Sequence, residues 1–221
     1  MILELLLILR NTLFVLLVIA AIFLFYLFVL IKIIRKLHHF PIPAFAVRFI
    51  DNPIRRRFIQ KPDLIAERMK LEPGMQILEI GPGRGTYTKA VAKQILPNGT
   101  IYAIDIQESI IEKLKNRIKE ENISNVIPKV DDAYNLSFKN ESINRIFAVV
   151  CLPEIPDPIK VLKEFKRVLK KDGIISLCEL FIDPDYPLRR TEKKWANKAG
   201  LEVIEQFGNF FSYQQNFGIK S

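Results

Sequence analysis

The sequence predicts an α/β domain over residues 61–221, a largely parallel sheet closed by an antiparallel hairpin, with one membrane-crossing helix ahead of it in residues 1–37. Three observations carry this reading. From Pro62 onward short β-rich runs alternate with longer helical periods; only Gly208 and Asn209 separate the last two strands; and Asn11 to Ile31 is a run of 21 residues without a charge.

That run accounts for the mean hydropathy of +0.14, high for a chain of 221 residues with 49% hydrophobic content. A helix needs about 20 apolar residues to cross a hydrocarbon core of about 30 Å. The aromatic and β-branched residues of this segment run around all faces, whereas a core helix carries one apolar stripe. The main rival is a cleaved leader, but its apolar region would be shorter, and Lys32, Ile33, Ile34 and Arg35 follow where a small-residue cleavage site would stand, so the segment reads as an uncleaved anchor. The charge is as uneven as the hydropathy. Residues 32–70 carry ten Lys/Arg against three Asp/Glu, and of the formal +9 only +2 falls on the remainder, which excludes a phosphate-tracking nucleic-acid surface. The basic flank puts the N-terminus outside and the domain in the cytoplasm. Residues 38–60 form a basic, proline-containing juxtamembrane segment. Its Arg55, Arg56 and Arg57 are expected either to reach anionic lipid headgroups or to belong to a solvated linker.

The elements follow in order. Pro62 to Leu71 opens with a helix-starting proline and is stopped by Pro73 and Gly74. Gln76 to Ile80 is the first strand, Thr86 to Ile95 a helix, and Thr100 to Ile106 the second strand. Gln107 to Glu121 is a charged helix with Ile110, Ile111, Leu114 and Ile118 on one stripe. Asn125 to Val130 is a short strand, Ile143 to Leu152 an apolar one, Pro158 to Leu169 a helix ending in a Lys-Lys-Asp-Gly turn, and Ile174 to Phe181 a buried strand. Leu188 to Ala199 is a basic helix capped by Gly200. Leu201 to Phe207 and Phe210 to Gly218 must pair antiparallel, because so short a link forbids a crossover.

The chemistry gathers at Ile77 to Thr86, I-L-E-I-G-P-G-R-G-T, where Gly81, Gly83 and Gly85 follow a strand and open a helix. Such a loop lets a ligand approach the backbone. Its GxGxG spacing differs from the pyrophosphate-seating GxGxxG, and Glu79 would repel a diphosphate but attract a cationic amino acid group. Asp105 ends the second strand, where an acid holds ribose hydroxyls. Asp132, followed by Ala133, stands past the third strand and suits an adenine amino group, with Asp131 its competitor. Each acid alone reads equally as a solvated strand end. Together they mark the sheet edge at which open α/β folds bind ligands.

These features, with I-N-R-I-F-A-V-V-C-L-P-E-I-P-D (Ile143 to Asp157) and E-F-K-R-V-L-K-K-D-G-I-I-S-L-C-E (Glu164 to Glu179), resemble the class I S-adenosylmethionine-dependent methyltransferases from about Lys61 to Gly218. Within that family the nearest likeness is to the quinone and lipid methyltransferase-like group. The resemblance implies a Rossmann-like seven-stranded sheet of order 3-2-1-4-5-7-6 with its last strand antiparallel. It implies that Gly81, Gly83 and Gly85 wrap the methionine end of the cofactor, that Asp105 holds the ribose, and that Asp132 with Ala133 holds the adenine, with Ile106 a further cofactor-binding residue. The segment from Leu152 to Asp157 then lies beside the transferred methyl.

A sulfonium is already a strong methyl donor, so the protein has to align a nucleophile and exclude water. The only histidines are His38 and His39, outside the domain. Cys151 and Cys178 have no CxxC spacing, and no metal is expected. Glu154, in P-E-I-P, is the acid or base nearest the expected methyl, and equally suits a helix cap. Tyr87 is placed to wall the cofactor; Tyr134, Tyr186 and Tyr213 are pocket aromatics or packing residues. The leading expectation is methyl transfer by direct in-line displacement to a lipid or lipid-tailed, quinone-like acceptor. The alternatives are a protein or soluble small-molecule acceptor, or a non-catalytic cofactor-binding membrane module.

Overall fold

The structure, a computed structural model, describes residues 2–37 and 51–220, in two compact units, Met1–Phe40 and Pro41–Ser221. In the first unit α1 (Ile2–Leu37) is one continuous helix of 36 residues. Its stretch Leu6–Ile34 is long and apolar enough to cross a membrane. Large apolar side chains are exposed all along it, Phe14, Ile22 and Phe25 among them, so no single stripe is set aside for a protein core.

In the second unit a wide helical turn, Arg55–Ile59, leads into α2 (Pro62–Arg68). Then follow β1 (Gln76–Ile80), α3 (Thr86–Gln94), β2 (Thr100–Asp105), α4 (Glu108–Glu120), β3 (Val126–Val130) and β4 (Ile143–Val149). A short 3-10 turn, Leu152–Glu154, precedes α5 (Pro158–Val168), β5 (Leu169–Leu180), α6 (Arg189–Lys198), β6 (Leu201–Gly208) and β7 (Ser212–Ile219). The seven strands lie in the order β3-β2-β1-β4-β5-β7-β6. β7 is antiparallel to both neighbours, as the brief Gly208-Asn209 link requires, and the other pairings are parallel.

The central strands β1, β4 and β5 are buried on both faces because helices cover both, while the edge strands β3 and β6 are partly exposed. One face packs Leu78, Ile146, Leu162, Phe165, Leu177 and Phe217; the other packs Ile77, Ile101, Phe147, Met69, Val91 and Ile95. Burying each such side chain stabilises the fold by about 1.5–3 kcal/mol. The stripe on α4 faces the sheet as its spacing predicts, with Ile110, Ile111 and Leu114 buried.

Several boundaries shift by one or two residues from expectation, and three shift by three or more. The first helix ends at Arg68 rather than Leu71, since Lys70 takes φ +52°. β4 ends at Val149 rather than Leu152, because Val150 turns the chain at φ +55°. β5 begins at Leu169 rather than Ile174: Leu169 pairs with Ile143, and a register shift absorbs the polar residues read as a turn.

Candidate active site

The carboxyl ends of β1, β2 and β4 meet at one pocket. Its lining includes the expected Gly81, Gly83, Tyr87, Asp105 and Glu154, with Cys151, Thr86, Gln107, Asp51 and Arg55 beside them. The glycine loop is held from both sides. Gly81 N–H donates to Ile104 O at 2.9 Å, tying it to β2, and Arg117 from α4 donates to the carbonyl of Arg84. Gly81, Gly83 and Gly85 all have positive φ, +66°, +52° and +74°. A Cβ on Gly81 would meet Cys151 Sγ at 2.5 Å and one on Gly85 would meet Leu114 Cδ1 at 2.5 Å. The loop thus depends on missing side chains for both its turn and its packing.

Asp105 closes β2 half-buried, its Oδ1 accepting from Gln107 N–H at 2.8 Å. Burial raises its carboxyl above the usual range against the pull of the Gln107 and Ile106 amides. Glu79 does not line the pocket. It lies beneath the loop, almost fully buried, and burial pushes its carboxyl up to about 8, with the neighbouring Thr88 side chain offsetting part of the rise. Its Oε2 has no hydrogen-bond partner among the described residues. Asp132 is exposed past β3 and turns the chain by accepting from Tyr134 N–H at 2.9 Å. Asp131 instead is held by Ser137 at 2.6 Å and Lys129 at 3.0 Å. Burial alone would raise Asp131, but these partners hold it below the usual carboxylate range. Ile106 is exposed, while Ala133 and Leu152 are buried in the core outside the pocket lining.

The loop that carries Asp132 and Ala133 is fixed by the Glu164–Arg167 pair of α5. Glu164 Oε1 accepts from Leu136 N–H at 2.9 Å, and Arg167 donates to Leu136 O and Phe138 O, each at 2.9 Å. The two charges are themselves 2.6 Å apart.

Residues 51–60 contribute what the sequence reading missed. Thr86 Oγ1 donates to Asp51 Oδ2 at 2.7 Å, Arg56 pairs with Asp51 at 3.6 Å, and Tyr87 Oη donates to Gln60 O at 3.4 Å. Burial pushes the Tyr87 phenol up to about 12 despite Arg55 nearby. Arg55 is 4% exposed, with Nε donating to Gln60 Oε1 at 2.7 Å and its guanidinium 5.8 Å from the Tyr87 ring centre. The lipid contact expected of Arg55 is therefore corrected: its charge is spent inside the domain. Arg56 is half-buried, and Arg57 is the exposed member of the three.

Behind this wall a second acid was also missed. Glu179, at the end of β5, is fully buried and neither carboxylate oxygen has a hydrogen-bond partner among the described residues. Burial first, then the charges of Glu192, Asp183 and Glu154, drive its carboxyl well above the usual range. Glu179 ends a buried strand run, and no local pattern separates such an acid from a solvated strand end. Cys151 and Cys178 are free thiols, both pushed up by burial.

A seven-stranded sheet of this order, with a glycine loop after β1 and an acid after β2, defines a Rossmann-like nucleoside-binding architecture. Comparison with known proteins makes the class specific. The methyltransferase domain family matches residues 71–212, and the chain belongs to that family. Demethylmenaquinone methyltransferase of Lactobacillus johnsonii is 30% identical over 130 residues, 58% of this chain and 50% of that protein. The chain spans about half the length of the curated relatives it matches. Among solved structures, a SAM-dependent methyltransferase from Aquifex aeolicus superposes with a TM-score of 0.75 at 20% identity, covering 81% of this chain and all of that one. The [4+2]-cyclase SpnF does so at 0.60 and 23% identity, covering 66% and 57%.

Proposed function

We propose that this chain moves a methyl group from S-adenosylmethionine to a lipid-tailed, quinone-like acceptor at a membrane. In this reading residues 1–37 anchor it with the N-terminus outside and residues 61–221 form the cytoplasmic catalytic domain; of the connecting stretch 38–60, residues 51–60 fold onto that domain. The convergence of Gly81, Gly83, Tyr87, Asp105 and Glu154 on one pocket carries the reading. The relatives that are demethylmenaquinone methyltransferases support the acceptor class.

The residues fit the cofactor. Glycines at positive φ let a ligand approach the loop backbone, and Asp105 offers an acceptor to paired hydroxyls. Glu79 is buried outside the lining with its carboxyl pushed up to about 8, so the cationic attraction expected of it is not carried by an ionised side chain at neutral pH. Asp132, exposed past β3, would accept from the adenine amino group, with exposed Ile106 next to Asp105; Ala133 and Leu152, buried outside the lining, would back the adenine and methyl sides from within the core. Bound there, the cofactor supplies a methyl on a positively charged sulfur. The chain's own part is to hold the acceptor in line with that methyl, keep water out, and take the acceptor's proton on Glu154. No group of three His, Cys, Asp or Glu suited to a metal occurs among the described residues.

The fold also hosts a cyclase, so fold likeness does not fix the reaction. The test is methyl transfer from radiolabelled S-adenosylmethionine by the full chain in extracted membranes. Label is expected in the lipid-soluble fraction, and label confined to protein or the aqueous phase would overturn the acceptor class. Calorimetry with S-adenosylhomocysteine tests the pocket separately: the wild-type chain binds and Gly83→Leu does not. Unchanged binding by the variant would remove the glycine loop from the site.

A further inference from the structure

We propose that the face formed by Phe58, Ile59, Ile182, Phe210 and Phe211 docks onto an anionic bilayer. The proposal deepens the function above by giving the domain its own contact with the membrane.

These five residues are each between 50% and 70% exposed, and they come from three separate stretches of chain. Phe58, Ile59, Ile182 and Phe211 line a groove of about 450 Å³ between the start of α2 and the ends of β5 and β6, and Phe210 stands beside it with its ring centre 5.6 Å from that of Phe211. Exposed apolar residues gathered from distant segments mark an interaction surface, whereas scattered ones mean little. The face is also built rigidly. Phe181 stands at its centre, with ring centres 5.2 Å from Phe210 and 5.8 Å from Phe211. Asn209 Oδ1 accepts from Phe211 N–H at 2.9 Å and from Ser212 N–H at 3.2 Å, while Tyr186 Oη donates to Phe210 O. The β6–β7 turn is thereby fixed with its two phenylalanines outward, so little ordering entropy is lost on docking.

Charge selects the occupant. No Asp or Glu lines the groove, and its cations are Lys61 and Arg68. Exposed Arg57 stands 5.8 Å from the Phe58 ring centre. Asp183, next in sequence to Ile182, is buried. Aromatic and aliphatic tips ringed by cations suit the headgroup level of an anionic bilayer. Connectivity agrees: residues 38–50 alone separate α1 from Asp51, a length that reaches at most about 45 Å when fully extended. The face also borders the pocket. Gln60 lines the groove, Tyr87 lines the pocket, and the two are joined through Tyr87 Oη and Gln60 O.

The test uses the full-length chain carrying Phe211→Trp, reconstituted in vesicles of phosphatidylcholine and phosphatidylglycerol, with acyl-brominated or unbrominated lipid. Trp195 in the otherwise unchanged chain supplies the reference signal. Docking predicts that brominated lipid removes about half or more of the added emission, a contact at the depth of an interfacial side chain. It also predicts that aqueous iodide quenches that emission less in vesicles than in detergent. Emission open to iodide and untouched by bromine, in vesicles that float with the protein, overturns the proposal, as does protein that fails to float. Emission shielded from both quenchers and released on dilution assigns the face to a second copy, and overturns it too. Quenching needs neither acceptor nor methyl transfer. Docking without labelled lipid would therefore leave this face standing and bring down the acceptor class alone.

Discussion

A Cβ placed on Gly81 would fall 2.5 Å from Cys151 Sγ and 3.0 Å from Cys151 Cβ, at a φ of +66°. Next to it Val150, a β-branched residue at φ +55°, holds the turn after β4 through a 2.8 Å bond from its N–H to Cys178 O. Such a conformation costs on the order of 1–3 kcal/mol and persists only where its surroundings enforce it. Gly81→Ala is expected to destabilise the chain by about 1–3 kcal/mol and to weaken S-adenosylhomocysteine binding. Cys151→Ala in the same chain should recover part of the loss, measured as a double-mutant cycle by urea unfolding in detergent. Strict additivity would show that Cys151 is not the obstacle. The glycines were legible in the sequence because a left-handed turn is a local demand. Cys151 was legible only as a buried hydrophobe, since its contact with Gly81 spans strands that the local pattern does not connect.

α2 shows what governs an element. Its C-terminal carbonyls are met by side chains from two distant strands: Arg145 Nε donates to Met69 O at 2.9 Å and its Nη2 to Lys70 O at 3.1 Å. Asn216 donates to Arg68 O at 2.7 Å, and Gln214 donates to Ile65 O at 3.2 Å. A helix of 7 residues has little stability of its own, so its position depends on this docking. Arg145→Met keeps the apolar stem but leaves two helix-end carbonyls without their charged donor, at a cost of about 1.5–3 kcal/mol. Hydrogen exchange should localise the loosening to residues 62–71; protection unchanged there would mean that Arg145 does not hold α2. The sequence marked this helix through Pro62 and its apolar positions. Arg145 and the Gln-Gln-Asn run of β7 carry no local signal of this role, because what they bond to lies far along the chain.

Buried carboxyls set how the whole domain responds to pH. Burial pushes Glu79 and Glu192 from 4.5 to about 8, and burial together with the charge of Glu192 drives Glu179 well above the usual carboxylate range. The folded chain therefore binds more protons than the unfolded one between these values, and stability falls as pH rises from about 4.5 through about 8. The full chain in detergent should melt lower at about pH 8.5 than at about pH 6, with roughly 2 kcal/mol lost per buried group. Glu192→Gln should narrow that difference, and a profile unchanged by the substitution would mean that Glu192 is already ionised in the fold.

Local signals were enough for the α/β class, the closing hairpin, the apolar helix, the glycine loop and the acid after β2, because periodicity, a two-residue link and positive φ act over a few neighbouring residues. Packing determined the rest. Residues 51–60 carry the composition of a basic linker, yet Asp51, Arg55 and Gln60 close on Thr86 and Tyr87 across some thirty positions. Whether a charge faces lipid or the interior depends on which segments meet it in three dimensions, and composition holds no record of that. The same holds for Phe58, Ile182 and Phe211, three unremarked hydrophobes in the chain that become one face when β5, β6 and the approach to α2 are brought together.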